Sequence, residues 1–278
     1  MPHEHPNKII VLHATAPTCW WSWGYESVLN KLRLVYGDQI DLRLLTLCVY
    51  EDFNDWMEKY EIKSWKENLD WAKEASEIMK VPMETNMDRK KVPKNVMPAS
   101  IAVIAAKLQG EKKAERLSRE ILRRLVVEQE DVSDTEVLLD AAKDSGLDLV
   151  KFKKDFADKK AREHEYIHQQ ENFPHHLPLN FYNIVVTDGA NRVVLLDHAF
   201  EPKIVEDAID YLSAGKLKKN KPSDILAYLK EHGPTPLIEV SRVFDLNADE
   251  AKKKLTDLEK SGKVQSMDLI GFQFWKTK

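Results

Sequence analysis

Cys19-Trp20-Trp21-Ser22-Trp23-Gly24-Tyr25-Glu26 is the segment whose residue types and spacing can do chemistry. A short apolar run, Lys8 to His13, precedes it, and a helical periodicity follows it. Cys19 therefore falls at a strand-to-helix junction. A thiol there faces unpaired helix N–H groups, which together with the helix dipole favour the thiolate. The expectation is a lowered pKa and a sulfur suited to thiol–disulfide exchange. The Ser22 hydroxyl lies three residues on. It can stabilise a thiolate but cannot close a disulfide.

A lone cysteine among tryptophans also fits a buried apolar position, because free cysteine is often buried. Cys48, the second of two cysteines, sits at the end of the next strand pattern. It reads as a half-buried neighbour of the site, with the role of a substitute resolving thiol as the alternative. His164 and His168 are four apart on a predicted helix, with His175 and His176 just downstream. No Cys-x-x-Cys pair accompanies them, so no metal site is expected. The tryptophans read as core and groove.

The elements that must position Cys19 follow from patterning. Lys8–His13 reads as a buried strand, Cys19–Tyr36 as a helix and Ile40–Val49 as a second strand, parallel to the first. From about 53 to 172 the pattern is helical. Pro98 opens one helix there, and Ser133-Asp-Thr-Glu136 reads as a capping box. Asn180–Thr187 and Arg192–Leu196 flank the turn signal Asp188-Gly-Ala-Asn191, which predicts a hairpin. A helix from Pro202 to Ala214 completes one sheet covered by helices.

The segment around Cys19 resembles the DsbA-like, FrnE-related disulfide oxidoreductases, whose motif reads roughly Cys-x-Trp-Cys-Trp-Gly-Phe-Glu. Cys19, Trp21, Trp23, Gly24 and Glu26 match it, and Ser22 stands where that family has its second cysteine. The resemblance continues through Leu32, Tyr36-Gly37-Asp38, Pro98-Ala99-Ser100, Ala105–Gly110 and Asp131–Asp134, over roughly residues 8–214. It implies an α/β, thioredoxin-like fold of the DsbA type over 1–215, with an all-helical subdomain inserted at about 53–172. It implies Cys19 as nucleophile, Ser22 as thiolate stabiliser and Pro178 as the cis-proline facing them. Leu177 would offer its backbone to an extended substrate. Trp20, Trp21, Trp23, Leu177 and Cys48 would line the substrate groove. A single-cysteine member would reduce or isomerise disulfides of proteins or small thiols through a mixed disulfide. No cofactor is implied, except glutathione as a possible co-substrate. Two alternatives stand beside this enzyme reading. One is a non-catalytic adaptor or regulator that binds through the thioredoxin-like face and a C-terminal winged helix. The other is a glutathione transferase or isomerase resembling the kappa class, which carries serine at the active position.

Residues 216–278 hold 13 Lys/Arg and 9 Asp/Glu, a net +4 in a chain whose total is −4, leaving −8 for residues 1–215. Gly215–Pro222 is polar and ends in proline, so it reads as a linker. Beyond it, Pro222–Glu231, Pro236–Phe244 and Ala248–Lys260 read as helices and Val264–Trp275 as a hairpin. That is a winged-helix-like domain over 222–278. Its third helix begins with Asp249 and Glu250, which would repel phosphate. A protein partner or dimer contact is thus expected ahead of DNA. No run of ~18 apolar residues marks a membrane span, and the N-terminus has no apolar signal-peptide core. A cytoplasmic location is expected.

Overall fold

The computed structural model describes residues 8–46, 50–171 and 183–278. β1 (Ile9–Thr15) leads into α1 (Trp20–Tyr36) and then β2 (Ile40–Thr46). β1 and β2 pair in parallel, Ile9 opposite Ile40 through to Thr15 opposite Thr46. β3 (Asn183–Thr187) runs antiparallel to β1, and β4 (Val193–Asp197) antiparallel to β3. The sheet order is therefore β2-β1-β3-β4. Asp188 closes the β3–β4 turn by accepting from the backbone N–H of Ala190, Asn191 and Arg192, which is why that turn was legible.

Between β2 and β3 lies the helical block: α2 (Phe53–Lys59), α3 (Trp65–Met79), α4 (Met97–Lys107), α5 (Glu111–Val126), α6 (Thr135–Asp144), α7 (Leu149–Ala157) and α8 (Lys159–Glu171). α4 is apolar around nearly its whole circumference, and Ala99 through Ala106 are all buried; a helix of that kind belongs inside a core. The expected cap at Ser133 is corrected. Asp134 is the N-cap of α6 and accepts from the Glu136 N–H, while Ser133 donates to Asp131. A carboxylate one residue nearer the helix takes the capping place. α9 (Pro202–Ser213) then returns to the sheet.

The C-terminal unit is α10 (Ile225–His232), β5 (Thr235–Pro236), α11 (Leu237–Phe244), α12 (Ala248–Lys260) and the hairpin β6 (Val264–Leu269) and β7 (Phe272–Thr277). Asn247 and Glu250 form a capping box at the start of α12. This unit has its own small core around Leu229, Val240, Val243, Leu255 and Trp275, yet Phe274 belongs to the large core of the preceding residues. The segment read as a linker is held to the body. Lys218 N–H donates to Gln39, Asn220 N–H to the Val35 carbonyl, and Lys219 pairs with Glu206 and Asp210. Among the described residues, no helix is long and apolar enough to cross a membrane.

Candidate functional site

Cys19 is the N-cap residue of α1, in extended conformation (φ −85°, ψ 116°). Its N–H donates to Ala16 C=O at 2.9 Å, and its own C=O accepts from Ser22 N–H at 3.0 Å. Ser22 and Trp21 follow in the first turn and lower the Cys19 thiol's pKa, but the Cys19 side chain makes no capping hydrogen bond to the helix. Ser22 also shares a hydrogen bond with Thr15 at the end of β1.

The direction of the pKa is the reverse of the expected one. Burial pushes the Cys19 thiol above its ordinary value, and neighbouring Ser22 and Trp21 only partly oppose this. Cys19 is 8% exposed, so removing a thiolate from water outweighs the helix terminus. Its cover is a small aromatic cleft lined by Trp20, Trp21, Tyr50, Phe53, Trp56 and Trp71. Tyr50 donates to the Thr18 carbonyl at 3.3 Å, and Trp20 stands 5.5 Å from Phe53 between ring centroids. Tyr50, Phe53, Trp56 and Trp71 were not among the sequence-derived site residues. Their signal was there, as aromatics recurring every three residues from Tyr50 to Trp56.

The three tryptophans of the motif diverge. Trp20 and Trp21 line the cleft, and Trp21 stacks on Phe200 at 5.8 Å. Trp23 does not line it. Trp23 is buried, donates to the Pro82 carbonyl at 3.0 Å and lies 5.3 Å under the Arg119 guanidinium. Pro178, Leu177 and Cys48 lie outside the described residues, as do His175 and His176. His164 and His168 fall on α8, and no three metal-ligating side chains converge among the described residues.

Glu26, the last residue of the motif, leads away from the thiol. It pairs with Arg119 of α5 at 3.3 Å, and Arg119 pairs with Glu239 of α11 at 3.0 Å. Glu239 accepts from Tyr228, and Asn30 donates to the Tyr228 hydroxyl at 3.1 Å. Arg119 also donates to the His232 carbonyl at 3.2 Å. Burial pushes the Glu26 carboxyl up, against the pull of Arg119. Further contacts bind the units: Lys31 with Asp245, Arg116 with Glu231 (2.7 Å), and Arg242 with the Met79 carbonyl (2.9 Å) and Glu201 (3.0 Å). The cleft and the seat of the C-terminal unit thus lie on the same helix, α1.

This geometry, a cysteine at the first turn of the helix that follows β1 of a mixed sheet, is that of the thioredoxin fold in its DsbA form. The chain belongs to the thioredoxin family, whose profile, described as "Thioredoxin", matches residues 14–170. Among solved structures it is similar to a putative protein disulfide isomerase from Nitrosomonas europaea (TM-score 0.59, 18% identity, 74% of this chain and 95% of that one). It is also similar to the cytosolic disulfide reductase DsbM from Pseudomonas aeruginosa (TM-score 0.53, 18% identity, 74% and 97%). Among curated proteins it is 26% identical over 267 residues to the ClpXP adapter protein SpxH of Halalkalibacterium halodurans, covering 94% of this chain and 86% of the relative. It is 24% identical over 281 residues to the protein of the same name from Bacillus subtilis, covering 99% and 91%.

Proposed function

We propose that the chain is a cytoplasmic protein-binding adapter of the ClpXP type, which brings a client protein to that protease. The observation that carries this reading is the C-terminal unit, fixed to α1 and α5 by the buried cluster of Arg119, Glu239 and Glu26. A rigid second unit gives a two-part surface, as an adapter needs. The SpxH relatives extend over 94% and 99% of this chain, whereas the two disulfide-handling structures cover 74% of it. The remainder is about the size of residues 215–278. The site adds support, since Ser22 removes the two-cysteine oxidation route and burial keeps the Cys19 thiol protonated at neutral pH. Acidic Asp249 and Glu250 at the start of α12 argue for a protein partner over DNA. The test is reconstituted degradation. Proteins stabilised when the gene is deleted are purified and incubated with ClpXP, with and without this chain. Faster degradation in its presence is expected; no client accelerated in any such pairing would refute the reading.

A second reading has one observation in its favour: Cys19 stands at the N-cap of α1, with Trp21 and Ser22 in the first turn beside it. That placement would support single-thiol exchange through a mixed disulfide once the aromatic cover opens. Insulin reduction with excess glutathione tests it, and a rate equal to that of a Cys19→Ala variant would rule it out.

A further inference from the structure

A groove of about 570 Å³ opens where the end of α3 meets the C-terminal hairpin; Val81, Pro82, Leu237, Ile238, Phe272 and Trp275 line its apolar part. Phe272 is 52% exposed. The Trp275 indole N–H is buried with no acceptor among the described residues. Lys80 and Lys252 also line the groove and are exposed. Neither has a carboxylate partner among the described residues. Glu77, the acidic residue there, already stands 4.0 Å from Lys73.

The groove runs along a bare stretch of sheet. β5 pairs Thr235 with Trp275 and Pro236 with Phe274, and then ends as the chain turns into α11 at Leu237. Ile270 and Gly271, with φ of 51° and 77°, make a two-residue turn that sets Leu269 opposite Phe272. In such a hairpin the closing pair is hydrogen-bonded and the next residue turns its N–H and C=O to the other side. Gln273 is that next residue. The same alternation turns Trp275 toward β5, where it is indeed paired. The Gln273 backbone thus faces the side where β5 has already ended.

We propose that this groove docks an extended segment of a partner protein, apolar at its centre and carrying carboxylates at one end, which continues the line of β5 along β7. The backbone of the segment bonds to Gln273, its apolar side chains cover Phe272, Leu237 and Val81, and its carboxylates meet Lys80 and Lys252. Main-chain bonds of this kind supply affinity, and alternate side-chain pockets supply specificity. The inference rests on the adapter reading only in taking the occupant to be a protein.

The experiment selects from a phage-displayed library of random dodecapeptides on the full chain, then measures the selected peptides by fluorescence anisotropy. The expected winners carry an apolar, β-branched run with Asp or Glu at one flank. Phe272→Asp should weaken them by about tenfold or more. Gln273→Pro should do the same, because it deletes the outward N–H while leaving the β6–β7 ladder intact. Lys80→Glu with Lys252→Glu should shift the selection toward basic flanks. Circular dichroism confirms that each variant is folded; Phe272 and Gln273 are both exposed, so neither change disturbs a core. No enriched peptide, or peptides that bind the Phe272→Asp or Gln273→Pro chain as tightly as the unaltered one, would overturn the proposal. If ClpXP degradation of a client proceeds in those same cases, the adapter reading stands and the groove alone falls.

Discussion

Arg119 and Glu239 form an ion pair at 3.0 Å with side chains 3% and 4% exposed, although 120 positions separate them in the chain. Arg119 comes from the inserted helical block, and Glu239 from the C-terminal unit. Glu26, from the motif that carries Cys19, completes the pair on the other side. A buried charge of this sort is retained only if every partner is present. The three parts of the chain are therefore fixed relative to one another by one guanidinium.

Arg119→Met should be strongly destabilising. It leaves Glu26 and Glu239 buried without a cation, and breaking a buried pair in this way costs about 3–5 kcal/mol. The loss should appear as a lower urea midpoint and as faster proteolysis within Gly215–Pro222. Glu26→Gln should cost less, because burial already disfavours the charged form of Glu26. A stability of Arg119→Met equal to that of the unaltered chain would show that the pair does not hold the units together.

Acid should destabilise the protein through His13. Burial, with Arg33 adding to it, pushes the His13 imidazole down to about 3 from 6.5, and neither ring nitrogen has a hydrogen-bond partner among the described residues. The folded state therefore refuses a proton that the unfolded chain accepts. Stability is complete above 6.5, falls as pH drops below it, and levels off near 3. The slope from one such histidine approaches about 1.4 kcal/mol per pH unit. His232, pushed down to about 2 by burial and Arg119, adds to it. His13→Leu should flatten the dependence between about pH 6.5 and 4 in urea titrations. An unchanged slope would place the acid sensitivity elsewhere.

Gly24→Ala should destabilise, although Gly24 lies inside α1. A Cβ there would sit 2.4 Å from Met79 Sδ, 2.7 Å from Met79 Cγ and 3.0 Å from Phe200 Cδ1. Met79 and Phe200 are buried, so neither has free space to retreat into. Overpacking of about 1–3 kcal/mol should exceed the helix-propensity gain of about 1 kcal/mol. Thermal unfolding decides it, and an increase in Tm would mean that Met79 repacks without cost.

The sequence carried the elements near the thiol because each has a local signature. Lys8–His13 is apolar and β-branched, Asp188–Asn191 is a turn by composition, and Asn247 with Glu250 is a capping pair. The seat of the C-terminal unit had no local signature. α5 reads Ala114-Glu-Arg-Leu-Ser-Arg-Glu120, which resembles a solvated face, and only the fold shows that Arg119 and Glu120 are buried. The Cys19 pKa was misread for a related reason. The helix terminus and the aromatic run Tyr50, Phe53 and Trp56 are both visible in sequence, but only the fold lays that run over the sulfur. Pro178 and Leu177 rest on the family resemblance alone.

Ser22→Cys should turn this site into a dithiol. Cys19 is the N-cap and Ser22 the third residue of α1. Three residues apart on the first helical turn, the two positions are spaced for a disulfide to close. Once oxidised, the pair is a two-electron acceptor for a dithiol peptide, its disulfide being reduced as the peptide's forms. The variant should lose Thr15's hydroxyl partner at a cost of about 1 kcal/mol. It should then oxidise a reduced dithiol peptide, which the unaltered chain should not. Because Arg119, Glu239 and the groove beside Phe272 are untouched, degradation of a client by ClpXP should continue at the unaltered rate while the introduced thiol is kept reduced. Mass spectrometry of the alkylated variant reads the first outcome, and the degradation assay reads the second. A variant with two free thiols after diamide treatment would show that the aromatic cover holds the Cys19 sulfur out of reach. A variant that forms the disulfide and also stops degradation would tie client delivery to the state of this thiol, contrary to a purely surface-borne adapter.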